Sequence, residues 1–502
     1  MTSTNHTNTN TNTDATEDKN SDTDALATGR RRFMKTVGAG ALVGSLGLGS
    51  TTGAASADMD SFVETDGTEF VVDGEPVYFN GTNNFWITDD SAMSEQRIDD
   101  CFQLFADLGI DLVRMWAHGE AKEGPLTLQP EPGEHNEEAL ELHDYAIETA
   151  KEHGIRLIVC LVDNWEHEGG MLQYAEWTGG SSREHFYTDD EARDLYMNHV
   201  ETIVTRENSI SGVEWRNDPT IMMWELANEP RLEGDDTEDG SEFERGDVGE
   251  HREILGDWFA DMSAYIKSLD DNHLVSTGSE GHYYGHWSED YPYGDWDGQD
   301  YIEHHAIDTI DAASFHWYPD HWDMELDHGT QWITEHVEDA HQQLGKPAYL
   351  GEFNVNIDNG LETRNEYLEE WYDVADEVDA NAVLPWQVVL DDTDDHDGFQ
   401  LYQDESGYLI ENYAEVVAAK SGGSNGGSGD EPPAIDGTVP QDTTGDGLSN
   451  DFTGSGSTTT TDVNVFFENV DNPDVADYPQ YYDFDGNGQV SVTDVVELFE
   501  SI

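Results

Sequence analysis

Basic residues are scarce in this chain. Its 502 residues hold 21 Lys and Arg against 109 Asp and Glu, a formal net charge of −88. That balance argues against nucleic acid and anionic membranes or polymers as partners, because phosphate recognition rests on clustered cations; a neutral ligand fits better. It also means strong self-repulsion in dilute buffer. The repulsion is largely removed at molar salt, where the screening length falls to about 3 Å. The composition points to a protein of an extremely saline medium. Cysteine is almost absent: Cys101 and Cys160 lie in the apolar segments "DDCFQLF" and "RLIVCLV". Two such residues give no disulfide framework and no metal spacing, and they predict buried free thiols. Long apolar runs are missing as well; the Gly-rich one near the N-terminus is too short for the roughly 20 residues of a membrane span.

Aromatic residues are plentiful. All 14 Trp and most of the 18 Phe and 21 Tyr punctuate regular apolar runs in the middle of the chain, which excludes disorder there despite the charge. The ends differ. Residues 1–28 are Thr-, Asn- and Asp-rich, and "GRRRFMKTVGAGALVGSLGLGS" (29–50) then leads to the small-residue stretch "AASA" (54–57). This resembles a twin-arginine export signal, so the expectation is a secreted protein whose mature chain starts near Asp58.

From 58 to 419, apolar runs alternate with amphipathic ones. The runs "VYFNGTNNFW" (77–86), "IDLVRMW" (110–116), "IRLIVCLVDNW" (155–165) and "TIMMWELANEP" (220–230) read as four strands. "LVSTGSE" (274–280), "DAASFHWYP" (311–319), "PAYLGEF" (347–353) and "AVLPWQV" (382–388) read as four more, and "VVDGEPV" (71–77) as a small hairpin ahead of them. Segments such as "SEQRIDDCFQLFADLG" and "NEEALELHDYAIETAKEHG" carry apolar residues at helical spacing, an early acid cluster and a closing Gly. Continuous apolar strands alternating with helices imply a parallel sheet covered on both faces, and eight units are the count of a TIM (β/α)8 barrel, an α/β fold.

Working residues of such barrels stand at the C-terminal strand ends. Here those ends carry Asn83, Trp86, Arg114, Trp116, Asn228, Glu229, His316, Tyr318, Glu352 and Trp386. Glu229 ends the fourth strand and Glu352 the seventh, across the barrel from each other, so both can point into one cleft. Paired carboxylates are what glycosidic-bond hydrolysis needs: one protonates the leaving oxygen, and the other attacks the anomeric carbon or directs water to it. Arg114 is the natural cation to keep Glu352 ionised, with Tyr318 donating a further hydrogen bond; Glu229, farther from that cation, is expected to stay protonated and serve as the acid. Asn228 can bond the sugar 2-hydroxyl, His316 the acid or a sugar hydroxyl, and Trp386 offers a flat face for a pyranose. Trp86, Trp116, Trp165 and Trp177 are further candidate platforms, and Glu225 reads as structural.

The blocks "YFNGTNNFW", "VRMWAHGE", "LVDNWEHEGG", "WELANEPR", "HWYP", "GEF" and "PWQ" resemble glycoside hydrolase family 5, most of all its endo-β-1,4-mannanases. The resemblance runs through most of 62–400. It implies Glu229 as acid/base and Glu352 as nucleophile, with Arg114, Asn228, His316, Tyr318 and Trp386 as supporting residues and Asn164 as a polar sugar ligand. It implies no cofactor for catalysis and a β-mannan substrate; Glu280 and His282 are looser matches. A β-1,4-glucanase, an exo-β-mannosidase and a non-catalytic, calcium-dependent carbohydrate-binding surface protein stay open as alternatives.

A Gly/Ser/Pro linker (420–440) precedes a different C-terminal part (441–502). "TTTTDVNVFFENV" (458–470) recurs as "VSVTDVVELFESI" (490–502), 32 residues on. The second copy follows "DFDGNGQVSVTD" (483–494), which sets Asp483, Asp485, Asn487, Gln489 and Asp494 at the spacing of a calcium loop. The first loop (451–462) has Thr453 and Ser455 where carboxylates belong. The pair resembles a dockerin module, which implies structural Ca2+ and a cohesin-like or cell-surface partner.

Overall fold

The computed structural model describes residues 59–85, 94–121, 124–166, 169–232, 248–285, 292–293 and 297–421, with shorter stretches between 435 and 500. The N-terminal extension with the expected export signal (1–57), most of the expected linker and Trp86 lie outside the described residues.

Three short strands come first: β1 (Val63–Asp66), β2 (Glu69–Val72) and β3 (Glu75–Val77), an antiparallel sheet in that order. The expected hairpin is β2–β3, with Val72 opposite Glu75. Eight strands follow: β4 (Phe79–Asn84), β5 (Leu112–Trp116), β6 (Arg156–Cys160), β7 (Ile221–Glu225), β8 (Leu274–Ser276), β9 (Ala313–Trp317), β10 (Ala348–Phe353) and β11 (Ala382–Val383). Their order is β8-β7-β6-β5-β4-β11-β10-β9, each pairing parallel. A parallel bridge from Ser276 to Ala312 joins the two outer strands. The sheet is therefore a near-closed eight-stranded barrel, as the alternation of segments predicted.

Side-chain alternation splits the core in two. On β5, Val113 and Met115 face the surrounding helices, while Leu112 points inward. The inner cluster joins Leu112, Ile158, Met222, Leu274, Ala312 and Ala382 with Val63, Phe70, Val72 and Val77. The small antiparallel sheet thus plugs the end where the barrel strands begin and leaves the other end for chemistry.

The helices begin where the sequence signals them. Ser94 caps Glu95–Asp107 by accepting from the Arg97 amide, and Asn136 caps Glu137–His153, which closes on Gly154 at φ 72°. Cys101 and Cys160 are buried free thiols. No helix among the described residues is long and apolar enough to cross a membrane.

In the C-terminal part, helices Thr460–Asn469 and Val492–Glu500 start at equivalent repeat positions, and Phe466 and Leu498 share a small core with Phe452, Val463, Tyr482 and Val495. Asp462 and Asp494, the closing residues of the two loops, are both fully buried, and each accepts hydrogen bonds at the start of its helix. Asp483, Asp485, Asn487 and Gln489 lie outside the described residues.

Candidate active site

Arg114 is the hub. It stands on β5 pointing into the barrel with a side chain that is 0% exposed. Its Nε donates to Glu225 Oε2 at 2.6 Å, Nη1 to Glu352 Oε1 at 2.6 Å and to Asn83 Oδ1 at 3.1 Å, and Nη2 to Asn228 Oδ1 at 2.8 Å. A buried guanidinium with this many acceptors is satisfied; stripped of them it would cost several kcal/mol. Glu225 is the last residue of β7 and also accepts from the Tyr349 hydroxyl at 2.7 Å, so it anchors Arg114 and takes no part in the cleft.

Glu352, on β10, has both oxygens fixed: Oε1 by Arg114 and Oε2 by the Tyr318 hydroxyl at 2.8 Å. Glu229 does not end its strand, as the sequence suggested. It lies four residues past Glu225, in left-handed backbone at φ 50°, and that turn aims its side chain across the barrel mouth. Its Oε2 accepts from Trp165 Nε1 at 2.6 Å, and its Oε1 from His316 Nδ1 at 2.8 Å. His316 Nδ1 is also 3.9 Å from Glu352 Oε2. One ligand atom from each of Glu229, His316 and Glu352 falls within 4.8 Å of the others.

The protonation order differs from the sequence expectation. Burial pushes the Glu352 carboxyl up to about 7, and the Glu229 charge adds to the rise, while His316, Arg114 and the Tyr318 hydrogen bond pull it down. Glu229 is as buried, but the hydrogen bond and charge of His316, then the Arg231 charge and the Trp165 hydrogen bond, hold it down to about 2. His316 itself is raised: burial opposes its charge, but Glu352 and Glu229 outweigh burial. The physical reason is the imidazole between the two acids. The distance from Arg114 and the charge of Glu352, on which the expected order rested, are outweighed at Glu229 by His316, whose Nδ1 is one 2.8 Å hydrogen bond away.

These groups open onto a cavity of about 450 Å³. Trp116, Trp165, Trp322, Trp386, Tyr318 and Phe399 give it aromatic walls, and Asn228, Glu229, Arg231, Glu280, His321, Glu352 and Asp397 its polar groups. Trp386 lies flat on Phe85 (centroids 5.4 Å apart, 5° between planes), and its Nε1 donates to Asp397 Oδ2 at 3.2 Å. Such stacked rings at a cleft wall are platforms for a sugar face. Arg231 forks onto both oxygens of Glu280 and lies over the Trp165 ring at 5.0 Å, so it braces the indole that holds Glu229.

Of the expected residues, Glu229, Glu352, Arg114, Asn228, His316 and Tyr318 meet at one place and Trp386 faces it. Asn164 does not: it is 1% exposed and absent from the cavity lining. Its backbone is tied to Asn228 and Arg183, and its neighbour Asp163 carries the contact inward, accepting from Asn228 Nδ2 at 2.9 Å. Sequence reasoning passed over Asp163, Arg231, His321, Trp322, Asp397 and Phe399; the aromatic density of "HWYPDHW" was the signal for Trp322. Among the described residues two trios have the spacing to hold a metal, Glu229–His316–Glu352 and Glu280–His282–Asp297, but Arg114 and Arg231 already neutralise a carboxylate in each.

Comparison with known proteins decides the family. A model described as GH family 5 beta-mannosidase-like matches residues 60–382. The chain belongs to glycoside hydrolase family 5. It is 34% identical over 343 residues to mannan endo-1,4-beta-mannosidase 2 of Arabidopsis thaliana, covering 62% of this chain and 74% of that one. It is 33% identical over 388 residues to mannan endo-1,4-beta-mannosidase 2 of Oryza sativa subsp. japonica, covering 71% and 83%. Among solved structures, the endo-1,4-beta-mannanase of Rhizomucor miehei superposes with a TM-score of 0.64 at 30% identity, over 72% of this chain and all of that one. The endo-beta-1,4-mannanase of Thermotoga petrophila gives 0.62 at 30%, over 71% and 79%.

Proposed function

We propose that this family 5 hydrolase is a retaining endo-β-1,4-mannanase that cleaves internal bonds of mannan, glucomannan or galactomannan. The observation that carries the reading is that one carboxyl oxygen of Glu229 and one of Glu352 lie within 4.8 Å of each other in an aromatic-walled cleft, which puts the two groups close together. A carboxyl separation of about 5–5.5 Å is that of double displacement, whereas inversion needs about 6.5–9.5 Å to seat a water.

The steps follow from the contacts. Glu352 attacks the anomeric carbon as a carboxylate whose plane Arg114 and Tyr318 fix. Glu229 passes a proton to the departing glycosidic oxygen, drawing it from His316 Nδ1 as the leaving group develops charge, and is left ionised beside a neutral imidazole. A covalent mannosyl ester on Glu352 results. Glu229, now ionised, removes a proton from water, which attacks the same carbon and releases the sugar with its configuration retained. Asn228 bonds the 2-hydroxyl, and Trp386 stacks under the ring at the point of cleavage.

Around this core we read a salt-requiring protein, exported by the twin-arginine route from the motif at 29–57, with a catalytic domain over 58–419 and a dockerin-like module over 441–502. The donor set Asp483, Asp485, Asn487, Gln489 and Asp494 is all oxygen, which suits Ca2+. The ion's part is to order the module, and the module's is to attach the enzyme to a cohesin-like or cell-surface partner. Product analysis at high sodium chloride tests the activity: mannan and glucomannan should yield short oligosaccharides with an early fall in viscosity. Release of mannose alone, or faster cleavage of carboxymethylcellulose, would replace the reading with an exo-mannosidase or a glucanase.

A further inference from the structure

Asn228 is held from both sides. Its backbone pairs with the segment after β6: its N–H donates to Val162 O at 2.7 Å, its carbonyl accepts from the Asn164 N–H at 3.0 Å, and the Asp163–Asn228 bridge lies between. Its side chain is gripped at each end. Oδ1 accepts from Arg114 Nη2 at 2.8 Å, and Nδ2 donates to Asp163 Oδ1 at 2.9 Å. Asp163 is 0% exposed and does not line the cavity, whereas Asn228 does.

This leaves a defined amount of donor capacity. An amide nitrogen has two N–H groups. Asp163 takes one. The planar amide then has no freedom in where the other points, and Asn228 faces the cleft beside Glu229. Arg114 alone would fix which end of the amide is oxygen but not its rotation, because a single bond to Oδ1 lets the plane swing. The carboxylate at the far end supplies the second point of a two-point mount. The pair also extends a continuous chain, Asp163–Asn228–Arg114–Glu352, from the third strand's end to the nucleophile.

We infer that Asp163 is a positioning residue for the reaction: it aims the free Nδ2 hydrogen of Asn228 at the 2-hydroxyl of the sugar being cleaved and touches no substrate itself. The inference rests on the reading of Asn228 as the 2-hydroxyl ligand. It assigns to Asp163 a contact that strengthens in the transition state, so its loss should appear in kcat more than in KM.

The test compares an aryl β-mannobioside with its analogue lacking the 2-hydroxyl on the cleaved sugar, in high salt, for the wild type and the N228A, D163L and D163N variants. The quantity read is the ratio of kcat/KM values for the two substrates. N228A should lower the wild-type ratio by ~10-fold or more, the worth of one good hydrogen bond. D163L, with no acceptor, should lower it nearly as far, while D163N, whose amide oxygen can still accept from Nδ2, should keep most of it. D163A serves the same comparison should D163L not fold. If the D163L and D163A variants slow both substrates equally and keep the wild-type ratio while N228A loses it, Asp163 is only structural and the Asn228 reading stands. If N228A itself keeps the ratio, the Asn228 reading fails and the role inferred for Asp163 fails with it.

Discussion

Glu225 Oε2 and Arg114 Nε meet at 2.6 Å inside the barrel, and neither side chain has any exposure. This pair lies one layer below the carboxylates that face the cleft and fixes the guanidinium they depend on. Breaking a buried pair by removing one partner costs about 3–5 kcal/mol because the other charge stays behind. Glu225→Ala should therefore lower the free energy of unfolding by that much and also depress kcat, since Arg114 is freed to swing from Glu352. Glu225→Gln keeps an acceptor for Arg114 and should recover most of the stability. Equal, small losses in both variants, read from denaturant titration and steady-state rates, would mean that the pair is not a support.

The pH profile should report the proton trio. Glu352 must be ionised to attack, and burial holds it up to about 7. Activity in kcat/KM should thus rise through about 7 from the acid side. The alkaline limb belongs to the proton shared by His316 and Glu229, and it should lie above the ordinary histidine value because the two glutamates raise His316. In His316→Gln the strongest charge pulling Glu352 down is gone, so the acid limb should move to higher pH and kcat fall. An acid limb that stays in place would show that His316 does not tune Glu352.

Trp165 gives Glu229 its second hydrogen bond, 2.6 Å from Nε1 to Oε2. Trp165→Phe keeps a ring beneath Arg231 but removes the donor. A charge-assisted hydrogen bond is worth about 1.5–3 kcal/mol. We expect kcat to drop at least ~10-fold, by the conversion of about 1.4 kcal/mol per decade, with the melting temperature nearly unchanged. A rate within a factor of two of the wild type would put Trp165 among the platforms alone.

Salt should govern stability. With a formal charge of −88, the melting temperature should climb as sodium chloride rises from 0.1 M to the molar range, most steeply at the low end where screening changes fastest. Sucrose at matched osmolality screens nothing and should leave the low-salt enzyme unstable. Equal protection by both would point to excluded volume and not to charge.

Much of the barrel was legible because each strand is an apolar run with a marked end. The eight runs quoted from the sequence hold the eight barrel strands, although β8 and β11 shrink to three and two residues. The helix starts at Ser94 and Asn136 were equally plain. What lay beyond reach depends on geometry after a strand stops. β6 ends at Cys160, and past it the alternation that tells inward from outward is lost, so the residues alone do not show that Asp163 is the one whose side chain meets Asn228. The left-handed turn at Glu229 and the seating of His316 between the two glutamates are arrangements that no local pattern encodes. Trp86 lies outside the described residues.

The most direct test is the anomeric form of the first product, followed by proton NMR as the wild-type enzyme cuts mannohexaose in high salt. Double displacement by Glu352 and Glu229 gives the β-anomer at the new reducing end before mutarotation mixes the two. Initial release of the α-anomer would mean that water attacks directly, and the paired roles assigned to these glutamates would be wrong.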